Sequence, residues 1–307
     1  NGNSEDLSDE SIFDWEHNYL VVLPFGKSIP FKKDFRKNQV LFWKNDIDEV
    51  VPELLMNMGV SNEDQRIFIS YKRNDTYDLA EQLYDALHKE RFEVFLDRFS
   101  IEPGINFQNR LYNELSDKSM VLFLESQKFD DSKWIQLEID FAKTNRLGMF
   151  ALNVNNAPKH PGFDSELRRH VSMGTDKILS PVDLTSVITE IKVRHSDALF
   201  RKKNNLNKNI MDALKNECYS PIIDDYGFIN VISKSGNKDF KIWTTPRPPV
   251  VNDYHYSDVS NSIKNKIIIG PDFMENKRKK INSWLSSKNS IRFFNEGAIT
   301  ELIKTIN

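Results

Sequence analysis

Between Arg66 and His195, short apolar runs alternate with stretches of helical spacing, and this alternation limits the possible fold more than any other feature. The runs are Arg66-Ile67-Phe68-Ile69-Ser70-Tyr71, Phe92 to Leu96, Met120 to Leu124 and Leu147 to Val154, with a fifth expected at Lys177 to Val182. Helical spacing occupies Asp75 to Glu90, where Leu79, Leu83, Ala86 and Leu87 share a face, then Ile105 to Lys118 and Ser132 to Lys143. Leu184 to His195 closes the unit as a helix. Apolar strands separated by helices make a parallel sheet covered on both faces. Ligands of such sheets bind outside the carboxyl ends of the strands.

One residue of the third helical stretch is out of pattern. Glu138 has Trp134, Ile135, Phe141 and Ala142 at three and four residues either way, and all four are apolar. A carboxylate is thus set in the face that the spacing sends towards the core. An unpaired buried carboxylate costs several kcal/mol, so such a group is exposed, paired or employed. The bland alternative places Glu138 at the rim beside a half-exposed Trp134. Asp131 or Ser132 suits the N-cap of this helix.

The chain has 307 residues, enough for two or three compact units. A net charge of −3 supplies no global field towards nucleic acid or anionic membrane. Cys218 is the single cysteine, which excludes an internal disulfide, argues against a thiolate zinc site and fits a reducing cytoplasm. The six histidines show no metal-like spacing, and His160, His170 and His195 read as surface residues. No apolar run approaches the roughly 20 residues that span a bilayer. The chain opens on Asn, so the lack of a visible secretory signal is not decisive.

The flanks are less regular. Residues 1–13 are acidic, polar and expected to be disordered. Residues 14–64 form a small α/β segment, with strands at Asn18 to Phe25 and Gln39 to Trp43 and a helix at Ile47 to Met58. Residues 65–198 are the alternating unit, and 199–307 a second small α/β domain, open to a Rossmann-like reading but without a glycine fingerprint. Arg201 to Asn209, rich in Lys and Asn, reads as a linker or the start of a new unit. Met211 to Glu217 is expected to be helical, and a hairpin turns near Ser235-Gly236-Asn237. A strand follows at Ile263 to Ile269, a helix at Asn276 to Ser286, a strand at Ile291 to Phe294 and a helix at Ala298 to Ile306. Thr245-Pro246-Arg247-Pro248-Pro249 is rigid punctuation or a recognition segment. The basic run Lys277-Arg278-Lys279-Lys280 reads as a solvated helix face, with phosphate contact as the less usual alternative.

Four pieces carry a resemblance. They are Ile67-Phe68-Ile69-Ser70-Tyr71-Lys72-Arg73-Asn74-Asp75, Val94-Phe95-Leu96-Asp97 with Ile101-Glu102-Pro103-Gly104, Met120 to Ser126, and Ser132-Lys133-Trp134 with Glu138. In order and spacing they resemble the first strand, second strand and BB loop, third strand and Ser-x-Trp…Glu helix of a TIR (Toll/interleukin-1 receptor) domain. The resemblance covers residues 66 to about 195 and implies a flavodoxin-like parallel sheet. Some TIR domains are scaffolds that signal by association. Others, including many bacterial and plant members, cleave NAD+ with the glutamate of this motif, and Trp134 with Glu138 is similar to that group.

The resemblance implies a bacterial NAD+ glycohydrolase or ADP-ribosyl cyclase of anti-phage defence, with Glu138 catalytic. NAD+ is then a substrate, with no cofactor and no metal. The sites to weigh for substrate binding are Ser70, Tyr71, Lys72 and Arg73 at the first strand's exit, Asp97, Arg98, Phe99 and Ile101 in the BB loop, and Trp134. Core packing of Trp134 and plain surface charge at Lys72 and Arg73 are the ordinary alternatives. Self-association through the BB loop, Arg98–Gly104, is the expected partnership, and a trigger or defence partner would act through the flanks. The alternatives are a non-catalytic TIR scaffold or effector and, more remotely, an enzyme like the nucleoside deoxyribosyltransferases.

Overall fold

The computed structural model describes residues 21–24, 40–43, 64–96, 107–129, 132–224, 227–236, 238–258, 265–272 and 276–306. The tail 1–13, the helix expected at Ile47 to Met58, and the BB-loop residues Asp97, Arg98, Phe99 and Ile101 lie outside them. In the first segment, β1 (Val21–Pro24) and β2 (Val40–Trp43) pair in parallel, Val21 opposite Val40.

The alternating unit is a five-stranded parallel sheet. Its elements are β3 (Arg66–Ser70), α1 (Arg73–Lys89), β4 (Glu93–Leu96), α2 (Phe107–Ser116), β5 (Met120–Glu125), α3 (Lys133–Thr144), β6 (Gly148–Val154), β7 (Arg168–Val171) and α4 (Pro181–Asn216). The strand order is β4-β3-β5-β6-β7, all parallel. This is the doubly wound, flavodoxin-like order, in which the first and third strands meet at the centre. Because alternate strand residues point to opposite faces, each central strand feeds two cores. Ile67, Ile69, Leu122 and Leu152 pack under α1 and the first half of α4. Phe68, Val121, Phe123 and Ala151 pack under α2 and α3.

The fifth strand is not where its apolar residues suggested. Residues 177–182 carry no strand; Arg168–Val171 pairs with β6 instead. His160 and His195 are buried, against the surface reading, while His170 is exposed. His195 packs edge-on against Phe92, ring centroids 5.1 Å apart, in the space between α4 and the sheet.

The largest departure is at Arg201 to Asn209. It is no linker: α4 runs unbroken from Pro181 to Asn216, and the boundary expected at 198/199 falls inside it. Its buried row passes through Ile191, His195, Leu199, Lys203, Leu206, Ile210 and Leu214. The first part belongs to the parallel unit's core and the last part to the next domain's. Lys203 sits in that row because its ammonium lies 4.1 Å from the centroid of the Trp243 ring.

The C-terminal domain is a second five-stranded sheet, β12-β11-β10-β9-β8. It comprises β8 (Ile222–Ile223), β9 (Ile229–Ile232), β10 (Asp239–Thr244), α5 (Val251–Asp258), β11 (Asn265–Gly270), α6 (Asn276–Asn289), β12 (Ile291–Asn295) and α7 (Ile299–Ile306). β10, β11 and β12 are parallel, whereas β8 and β9 join antiparallel. Gly270 takes the tight place where β11 meets the Thr245–Arg247 backbone; a Cβ there would lie 2.5 Å from the Thr245 side chain.

Buried charges join the two domains. Arg247, 2% exposed, reaches Asp64 through Nε at 2.5 Å and Asp253 through a terminal nitrogen at 2.6 Å. The Pro-rich segment is thus a structural anchor. Asp117 accepts from Arg66 at 2.5 Å and from Arg278 at 2.9 Å. Burial alone would raise the Asp117 carboxyl; the Arg278 hydrogen bond and the charges of Lys118 and Arg66 outweigh it and hold its pKa below the ordinary value. Arg278 therefore reaches across to the neighbouring domain while 38% of its side chain stays exposed, and Lys279 and Lys280 beside it are exposed as expected.

Candidate active site

Glu138 and Ser70 meet at the carboxyl end of the parallel sheet. Ser70 is the last residue of β3, in register with Phe123 of β5, so it stands at the central strand pair where winding reverses. Glu138 lies on α3, the helix that follows β5. Its position is set by Ile135, Ile139 and Ala142, which seat α3 on the sheet and carry the intervening carboxylate inward. Glu138 is 7% exposed and Ser70 2%. The Ser70 hydroxyl donates to Oε2 of Glu138. The carboxylate is therefore not the rim group of the bland reading.

Its apolar neighbours divide. Ile135 and Ala142 are buried, whereas Trp134 is 40% exposed, one helical turn before Glu138. Phe141 is half-buried and stacks on Tyr112 of α2 at 5.3 Å. Trp134 is thus not core packing; its ring stands at the surface beside the buried acid. Ser132 holds the N-cap position with extended backbone, but its side chain makes no capping hydrogen bond.

The exit of β3 is pinned on both sides. The amides of Asp75 and Thr76 donate to the Lys72 carbonyl, each at 3.0 Å, which starts α1. The Lys72 ammonium donates to the Lys128 carbonyl at 2.6 Å, and Ser126 donates to Asp75 at 2.8 Å. These bonds tie the amino end of α1 to the turn after β5. Tyr71 packs on the core beneath α1, with its ring 6.4 Å from that of Tyr77, and Arg73 is the half-buried first residue of α1. Ser70, Tyr71, Lys72 and Arg73 are therefore close in space to the turn that leads into α3. A helix N-terminus beside a cationic pair favours anionic groups.

A second buried acid escaped the sequence reading. Glu125, the fully buried last residue of β5, accepts from Asn153 at 2.8 Å, the His160 amide at 2.6 Å and Arg168 at 2.6 and 2.9 Å. Four donors leave it a structural clasp across β5, β6 and β7. Its partners are far away in sequence, so no local spacing announces it. Among the described residues no group of His, Cys, Asp and Glu is arranged to hold a metal ion.

Fold and geometry define a doubly wound α/β domain with a buried glutamate at its switch point. Residues 67–186 match the family model for the TIR domain, and this part of the chain, under half of the whole, is a TIR domain. No curated protein matches the chain. The TIR domains of the activated Roq1 resistosome, whose structure is described as directly recognising the pathogen effector XopQ, are similar over 45% of this chain and 82% of theirs, at 15% identity and a TM-score of 0.28. A putative aminotransferase from Burkholderia pseudomallei is similar over 60% of this chain and 65% of its own, at 12% identity and a TM-score of 0.20. No helix among the described residues is long and apolar enough to cross a membrane.

Proposed function

We propose that the TIR domain cleaves NAD+ between nicotinamide and ribose, with Glu138 as the catalytic carboxylate. The observation that carries this reading is the burial of Glu138 at the carboxyl end of the sheet, hydrogen-bonded to Ser70. A buried carboxylate costs stability, and a place where ligands of such sheets bind gives that cost a use.

The chemistry suits one acid. The C1′–N bond breaks with its electron pair leaving on nicotinamide, which departs neutral, so no general acid is needed. Positive charge passes to the ribose, as in the oxocarbenium-like transition states of glycoside hydrolysis. A carboxylate beneath the sugar stabilises that charge as it forms, more strongly in a dry site than in water. Ser70 holds the carboxylate in place. Trp134 offers a ring face for nicotinamide or adenine, and the start of α1 with Lys72 and Arg73 offers donors for the diphosphate. Attack of water at C1′ gives ADP-ribose; attack by the adenine ring gives a cyclic product. Either outcome, NAD+ depletion or a cyclic ADP-ribose signal, serves anti-phage defence, with assembly through the TIR domain as the activating step.

The exposure of Trp134 favours a second reading, a non-catalytic TIR module that uses this surface to associate. Purified full-length chain incubated with NAD+, with and without crowding agents, separates the two. Chromatographic release of nicotinamide that is lost in Glu138→Gln supports the enzyme. No nicotinamide under any condition leaves the association module.

A further inference from the structure

A cleft of about 730 Å³ lies between the TIR domain and the C-terminal domain, at the opposite end of the sheet from Glu138. The turn joining α3 to β6 forms one wall, α4 the floor, and Glu296 with Gly297, after β12, the far wall. Its volume is that of a small-molecule site. Its walls hold their places because α4 is shared by both domain cores and the Arg247–Asp64 pair locks the junction.

The charges in the cleft are of both signs and unequally satisfied. Arg201 is spent on Asp197 at 2.9 Å, and Arg194 on Glu190 at 2.7 Å with its guanidinium 4.4 Å from the Phe150 centroid. Lys202 donates to the Asn145 carbonyl at 3.3 Å and feels both Glu296 and the like charge of Arg146. Arg146 makes no hydrogen bond or ion pair through its guanidinium among the described residues. Two neighbouring cations invite an anion. Glu166 and Glu296 line the same space, and they repel a bare anion but accept from hydroxyls. A ligand that satisfies both sets carries a phosphate at one end and donors at the other.

We propose that this cleft binds a phosphorylated sugar or nucleotide, with its phosphate on Arg146 and Lys202 and its hydroxyls on Glu166 and Glu296. Because Glu296 comes from the C-terminal domain, occupancy ties the two domains together and gives the C-terminal domain a ligand-sensing role. The site is separate from Glu138 and stands whether or not the chain cleaves NAD+.

The test is calorimetric titration of the full chain with ribose 5-phosphate, AMP and inorganic phosphate. Saturable binding of ribose 5-phosphate or AMP is expected, weakened about tenfold or more (1.4 kcal/mol per tenfold) in the Arg146→Glu, Lys202→Glu double variant. Both side chains are at least partly exposed, so the fold should survive, and a melting curve checks it. Glu296→Gln should weaken the two sugar phosphates but not inorganic phosphate. Binding should persist in Glu138→Gln. No saturable binding, binding that survives the double reversal, or binding lost in Glu138→Gln would each overturn the proposal.

Discussion

Ser70 donates its hydroxyl to Glu138 across 68 positions of sequence, and both residues are buried. The bond joins the end of the sheet's first strand to the helix that follows its third. It sets a buried acid at the end of β3, in the centre of the TIR domain's sheet. In the proposed reaction it keeps the carboxylate directed at the sugar.

Glu138→Gln should remove the charge and keep the shape. Nicotinamide release from NAD+ is expected to fall by about 10²-fold or more, the scale for losing a transition-state electrostatic contact. The melting temperature should change little, because the Ser70 hydroxyl can still donate to the new amide oxygen. A variant as active as the parent would remove Glu138 from the mechanism.

Ser70→Ala should leave the buried carboxylate short of a donor. A hydrogen bond to a charged group is worth about 1.5–3 kcal/mol, so kcat is expected to drop by about tenfold to a hundredfold. Ser70→Thr keeps the hydroxyl and should recover much of the loss. Steady-state kinetics on all three proteins tests this; equal kcat for parent and Ser70→Ala would show that the bond positions nothing.

Arg247→Met should destabilise the whole chain, because it strands Asp64 and Asp253 in the junction. Breaking one side of a buried ion pair costs about 3–5 kcal/mol. The expected readout is a lower urea midpoint, with both domains affected since α4 is common to them. A domain-specific transition, with the TIR domain unchanged, would mean that the junction carries little energy.

His195 predicts a pH dependence of stability. Burial pushes its imidazole down to about 4, opposed by a hydrogen bond with the Asp64 backbone, and its Nε2 has no hydrogen-bond partner among the described residues. In the unfolded chain an imidazole titrates near 6.5. Between those values the unfolded state holds the extra proton, so stability falls as pH drops from about 6.5 towards 4 and is fully present above that window. Denaturation midpoints at pH 7.5 and 5 should differ more in the parent than in His195→Leu. Equal differences would show that the ring does not drive the effect.

Local patterns carried much of the TIR domain. Four of its five strands and its helices show themselves in apolar runs and helical spacing, because those periods reflect one backbone's own geometry. The fifth strand was missed because Arg168–Val171 is polar: Arg168 earns its place by pairing with Glu125, which no neighbour reveals. The apparent linker at Arg201 to Asn209 concealed a continuous row, Leu199, Lys203, Leu206 and Ile210, in which a lysine occupies a core position. Lys203 is tolerated there only because Trp243 and the buried acids Asp64 and Asp253 surround it.

By itself, then, the order of residues determined a parallel α/β sheet between Arg66 and His195, and singled out Glu138 as an acid on an apolar face. Tertiary structure decided that this acid is buried against Ser70, that Trp134 stays at the surface, and that α4 welds the two domains together. The division has a physical cause. Strand and helix periods are short-range properties of the chain, whereas the solvation of a charge depends on groups that meet only after folding.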